Sequence, residues 1–167
     1  MAFDARAVAN FLLDYAEKKQ LRFSLLALMK VIYFAHGWYL AKHDSALVKQ
    51  RFEAWENGPV VRVVWEAFRG KGAEPIVSRA RRLDVASNVS STVEYEFPPD
   101  IESFLRSVCD AYTQLHAYEL SRMTHEVGSP WDQVWNSISG QVSVGMPISD
   151  ESIREWFVDR RRFELLH

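Results

Sequence analysis

Val8, Phe11, Leu12 and Tyr15 recur at the i, i+3, i+4, i+7 spacing of one helical face, with Asp4 standing where an N-cap belongs. Ser24 marks a second start. After it Leu25, Leu28, Met29, Ile32, His36 and Tyr39 share a face, and Leu26, Val31, Tyr33, Phe34 and Trp38 cover most of the rest. A helix apolar nearly all round belongs at the centre of a fold, so its polar members Lys30 and His36 need partners or a route to solvent. The pattern then changes. Residues 51–55 are short and mixed in polarity, and residues 93–97 alternate until Pro98-Pro99 ends them, so the two segments can pair as a small sheet. Between them Pro59 is placed to open a third helix carrying Val60, Val64 and Phe68, stopped by Gly70 and Gly72. The stretch 78–92 is polar and reads as a long irregular loop.

Helices return in the second half. Asp100 is the expected cap of a run with Ile101, Phe104, Leu105, Val108, Cys109, Tyr112 and Leu115 on one face. A shorter helix from about residue 117 ends near Gly128. Ser129-Pro130-Trp131-Asp132 combines a capping serine, a proline at the first helical position and an early acid, and Val134, Trp135 and Ile138 continue the face. After Gly145 and Pro147, Ser149 opens the last helix, with Asp150 and Glu151 in its first turn and Ile153, Trp156 and Phe157 inward. The pattern predicts a mainly α protein: a single compact domain over residues 1–167, about six helices around a central apolar helix, with a small two-stranded β element.

Composition narrows the function classes. A chain of 167 residues suits one core, and 48% apolar with 25% charged residues is ordinary globular usage. The formal net charge of −2 supplies no general attraction for nucleic acid or an anionic membrane. Leu25–Ala41 is shorter than the roughly 20 residues a membrane span needs and contains Lys30 and His36. The N-terminal residues lack the basic start and apolar run of a signal peptide. The lone Cys109 forms no internal disulfide, which points to a reducing compartment, and the cytoplasm is the expected location.

Candidate chemistry is sparse. His36, His43, His116, His125 and His167 include no pair at ligand spacing, so neither metal nor cofactor is expected, and His36 reads as a hydrogen-bonded core histidine. His125-Glu126-Val127-Gly128 lacks the second histidine of a zinc-protease helix, Gly70-Lys71-Gly72 lacks the spacing of a phosphate loop, and no serine sits in G-x-S-x-G. An enzyme is therefore not expected. Arginines at 79, 81 and 82, and at 160, 161 and 162, are the densest basic clusters. They read as solvated surface, with a local nucleic-acid patch as the alternative. Any of Trp65, Trp131, Trp135 or Trp156 that reaches the surface would mark a protein interface.

Three blocks carry a resemblance. Met29 through Ala41 (Met-Lys-Val-Ile-Tyr-Phe-Ala-His-Gly-Trp-Tyr-Leu-Ala), Phe52 through Val61 (Phe-Glu-Ala-Trp-Glu-Asn-Gly-Pro-Val-Val), and Glu119-Leu120-Ser121-Arg122-Met123-Thr124-His125 with Ser129-Pro130-Trp131 resemble the Panacea antitoxin domain. That family is also called SocA-like, or phage-associated GepA-like. Ile148-Ser149-Asp150-Glu151 is similar as well. The resemblance implies an antitoxin that binds a cognate toxin encoded by a neighbouring gene, with delivery to a host protease as a variant of that role. It gives Trp38, Trp55, Gly58, Pro59 and Trp131 a structural part, Trp55 as a buried ring. Glu56, Asn57, Arg79, Arg81, Arg82 and His125 are the candidate partner contacts, and the 78–92 segment is expected to tune partner choice. The rival reading is a nucleic-acid-binding regulator of a phage or mobile element that uses the arginines.

Overall fold

The structure is a computed structural model and describes residues 1–136 and 145–164, with side chains through residue 160. Ile138 and the side chains of Arg161 and Arg162, as well as His167, therefore lie outside the described residues. The described residues form seven helices: α1 (Ala5–Lys18), α2 (Leu25–His43), α3 (Arg62–Phe68), α4 (Pro99–Tyr112), α5 (Ala117–Thr124), α6 (Pro130–Trp135) and α7 (Asp150–Glu164). The protein is mainly α. The strands β1 (Phe52–Trp55), β2 (Gly58–Val60) and β5 (Met146–Ile148) make an antiparallel sheet in the order β2-β1-β5, and β3 (Arg81–Asp84) pairs with β4 (Val89–Thr92).

Capping chemistry sets several helix starts. Asp4 Oδ1 accepts from the Arg6 N–H, Ser24 Oγ from Ala27 N–H and Ser129 Oγ from Asp132 N–H, each satisfying a donor the first turn leaves open. Every residue of α2 from Leu28 to Gly37 is buried, and α2 packs against α1, α3, α4, α5, α7 and β2. Its polar members have partners. His36 Nδ1 accepts from the Val48 N–H at 3.3 Å, which leaves Nε2 to donate to Asp150 at 2.8 Å. Burial pushes the Cys109 thiol up to about 11, as suits an inert core sulfur.

Gly37 is where α2 and α7 touch. A Cβ built there would fall 2.2 Å from Phe157 Cε2. Phe157 is itself buried, edge-on to Tyr33, Phe34 and Trp38, so its ring has nowhere to turn. Alanine would gain helix propensity, but the overpacking is larger. Gly37→Ala is expected to lose about 1–2 kcal/mol, read as a lower urea midpoint at constant slope.

Five expectations need correction. Residues 93–97 form no strand, and β1 pairs instead with β2 and β5. The alternation there is a packing pattern: Tyr95 and Phe97 sit against Phe11, and the Asn10 amide donates to Ala80 O and Val93 O, taking the part of a neighbouring strand. Pro59 lies in β2, not at a helix start, and α3 begins at Arg62 after Val61. β2 is an edge strand, where a missing N–H disturbs no ladder. Residues 81–92 are a β-hairpin and not an irregular loop, turned through Asn88 in the left-handed region at φ 55°. The β structure is thus two sheets in place of one two-stranded element. Finally, α4 starts at Pro99, which puts Asp100 in the first turn instead of at the cap.

Candidate functional site

The tight hairpin of β1 and β2 pairs Glu53 with Val60, Ala54 with Pro59 and Trp55 with Gly58, leaving Glu56 and Asn57 at the tip. Only a residue tolerant of positive φ fits after Asn57, and Gly58 sits at φ 118°. Space demands glycine too. An added Cβ would meet Thr124 Oγ1 at 3.1 Å, Lys30 Nζ at 3.5 Å and His125 Cε1 at 3.6 Å.

Three successive carbonyls of this turn each face a side-chain nitrogen from a different helix or helix end. Trp131 Nε1, on α6, donates to Trp55 O at 2.7 Å. His125, at the end of α5, places Nε2 3.4 Å from Glu56 O. Lys30 Nζ, on α2, donates to Asn57 O at 2.8 Å. The three blocks of motif residues thus meet at one point. The His125 ring lies on Trp131, with centroids 4.1 Å apart, and its Nδ1 is 2.6 Å from Ser121 O, the contact short enough to fix the N–H there, so that in the neutral ring Nε2 has no proton to give Glu56 O. Burial lowers the Lys30 ammonium to about 8, with no carboxylate contributing to that shift.

The flank of the hairpin is held by a buried acid. Glu53 accepts from Trp55 Nε1 at 2.8 Å and from Arg62 through Nη2 at 3.0 Å and Nε at 3.3 Å. Arg62 also lies 5.4 Å over the Trp55 ring, and Trp65 packs against that ring with centroids 5.1 Å apart. Trp55 is consequently half-buried and not the core ring its motif suggests; the buried ring is Trp131, at 5% exposure. Glu56 and Asn57 point their side chains to solvent.

The sequence-selected contact residues fall into two groups. Glu56, Asn57 and His125 come together at the hairpin tip. Arg79, Arg81 and Arg82 lie elsewhere, at and within the β3–β4 hairpin. Arg79 is engaged by Asp14 and Glu17 at 2.6 Å each, and Arg81 turns onto Ser90 of its own hairpin. Arg160 pairs with Glu126 and stacks over Trp156. Trp38 is remote from the turn, donating to the Tyr112 hydroxyl at 2.6 Å. Trp65, Trp135 and Trp156 are half-buried.

Glu53 and Thr124 escaped the sequence reading. A lone acid between Phe52 and Ala54 was the available signal for Glu53, since a charge flanked by core residues requires a partner. Among the described residues no group of three or more His, Cys, Asp or Glu side chains could hold a metal, and no described helix is long and apolar enough to cross a membrane.

The family model described as "Antitoxin SocA-like, Panacea domain" matches residues 28–132, a span that begins just before Lys30 and ends just after Trp131. The chain is 37% identical over 161 residues to Antitoxin SocA of Caulobacter vibrioides (strain NA1000 / CB15N), covering 96% of this chain and 84% of that protein. No solved structure matches. By both the domain match and the extent of identity, the chain belongs to the SocA-like, Panacea-domain antitoxin family.

Proposed function

We propose that this protein neutralises a toxin by binding it directly, without catalysis, in the cytoplasm. The observation that carries the reading is the use made of the motif's polar atoms. Lys30 and Trp131 each donate to a backbone carbonyl of one turn, and His125 stacks on Trp131 beside them, so the motif residues build a rigid frame and leave the exposed surfaces to the partner. The similarity to Antitoxin SocA supports the role. Neutralisation would follow from occlusion, because an interface of ordinary size covers about 800 Å² of the toxin. Delivery of the bound toxin to a host protease is a second step open to the same complex.

The test is co-expression with the product of the neighbouring gene. That product alone should arrest growth, and this protein should restore it; no rescue with both proteins well expressed counts against the proposal. A shortened toxin half-life in the rescued cells, dependent on one protease, would add the adaptor step. The β3–β4 hairpin is exposed along both strands and carries Leu83, Val85 and Val89 at its surface, and we assign partner choice to it. Transplanting residues 78–92 between two family members should carry toxin preference with it. Preference that stays with the scaffold would remove the assignment.

The geometry favours the antitoxin reading over the nucleic-acid one at the first arginine cluster. Arg79 is held by two carboxylates and Arg81 by Ser90 of its own hairpin, which draws both guanidinium groups away from a shared phosphate contact.

A further inference from the structure

Away from the motif hairpin, three connections meet around a crevice of about 370 Å³: the α1–α2 link, the segment after α3, and the α4–α5 turn. Its walls are mostly apolar, with Leu21, Phe23, Pro75, Leu115 and Leu120 among them. Two of the lining residues, Leu21 and Leu115, are themselves exposed large apolar side chains. Exposed apolar side chains gathered at a concavity mark a binding surface more often than ones scattered singly.

The polar atoms of the crevice give the occupant its charge. Ser24 Oγ caps α2 and Thr113 Oγ1 donates to Cys109 O, so both hydroxyls are engaged within the fold. Arg22 has no hydrogen-bond or ion-pair partner among the described residues. His116 Nδ1 accepts from the Tyr118 N–H to cap α5, which leaves Nε2 as its N–H donor. No acidic residue lines the walls. An apolar channel with a guanidinium and an imidazole donor, and no carboxylate, is complementary to an apolar segment that carries one or more carboxylates.

We propose that this crevice is the docking groove for an acidic, apolar segment of the partner toxin. The proposal rests on the antitoxin reading and adds to it the place and the chemistry of contact. Apolar side chains of the toxin segment fill the space between Phe23, Pro75 and Leu120, and its carboxylate meets Arg22. The mode is that of an amphipathic element laid in a groove, with affinity from apolar anchors and orientation from one charge pair.

Two probes test it. The first is the purified product of the neighbouring gene, titrated against wild type, Arg22→Glu and Leu115→Glu, with Glu155→Arg on α7 as a charge-changing control outside the groove. Each groove variant should weaken binding about tenfold or more at an unchanged unfolding midpoint, while the control binds as wild type. The second is a pair of labelled helical peptides, one of leucine and glutamate, the other of leucine and lysine. The glutamate peptide should bind wild type in preference, and Arg22→Glu should reverse that preference. Groove variants that hold the gene product as tightly as wild type overturn the groove while leaving the antitoxin role intact. A glutamate peptide that binds no better than the lysine one also overturns it. Arg22-dependent peptide binding without any binding of the gene product keeps the groove and removes the antitoxin reading. Silence from both probes removes both.

Discussion

Trp131→Ala is expected to destabilise the protein by about 3–5 kcal/mol, the largest loss of any single change at the motif residues. Trp131 is buried, its ring lies against His125 and stacks near Trp135, and its indole N–H holds Trp55 O at 2.7 Å. Truncation opens a cavity under the hairpin and also strips a carbonyl of its donor. Trp131→Phe separates the two effects. It keeps most of the ring's contacts and loses the hydrogen bond, for an expected cost of about 1–2 kcal/mol. Trp55→Ala should cost about 1 kcal/mol, because that ring is half-exposed and its main contacts, Arg62 and Trp65, are themselves near the surface. Urea unfolding of the three variants gives the order directly. If Trp55→Ala proves as costly as Trp131→Ala, the hairpin is held from its own flank and not from α6.

That inversion of roles shows what the sequence could and could not say. Local chemistry was readable wherever cause and effect lie within a few residues. Ser24, Asp4 and Ser129 announce helix starts because the cap and the N–H it satisfies are neighbours in the chain. The glycine after Glu56-Asn57 could be recognised as a special backbone position for the same reason. Partnerships across the chain were not readable. Phe52–Trp55 could be seen as a short strand, yet its second partner, Met146–Ile148, is a three-residue piece with no alternation to display. Pro59 carries identical local signals for a helix start and for an edge strand, and only the order β2-β1-β5 decides between them. The β3–β4 hairpin hid because both its faces are exposed, so Arg81-Arg82-Leu83-Asp84 shows no apolar period. At the site, the need of Lys30 for a partner was legible from its apolar helix, while the identity of that partner, Asn57 O, was not. The groove around Arg22 is assembled from three separate connections and leaves no contiguous trace.

Lys30 makes the second large prediction, a stability that climbs with pH. Its ammonium is lowered from 10.5 to about 8 because burial penalises the charged form. Below pH 8 the lysine is charged in both states and the folded protein carries the full burial cost, on the order of 3 kcal/mol. Between pH 8 and 10.5 the unfolded chain binds more protons than the folded one, so stability rises with pH. Across pH 7 to 9 the gain is about 1.4 kcal/mol. Two buried groups act in the opposite direction at higher pH. The Cys109 thiol, pushed up to about 11 from 9.0, and the buried Tyr33 hydroxyl, raised from 10.0, hold their protons more tightly when folded. Their contributions are complete below the unfolded values and fade as the pH passes 9 to 10. The rise is therefore cleanest from pH 7 to 9. Lys30→Met isolates it, because methionine fills similar space without a titrating group, and the other ionisable residues cancel in the comparison. The stability of wild type relative to Lys30→Met should increase by about 1.4 kcal/mol from pH 7 to pH 9. A difference that stays flat would mean that the ammonium reaches water. The neutral amine still donates to Asn57 O, so the hairpin keeps that tie throughout, and the protein should hold its partner at pH 9 as firmly as at pH 7.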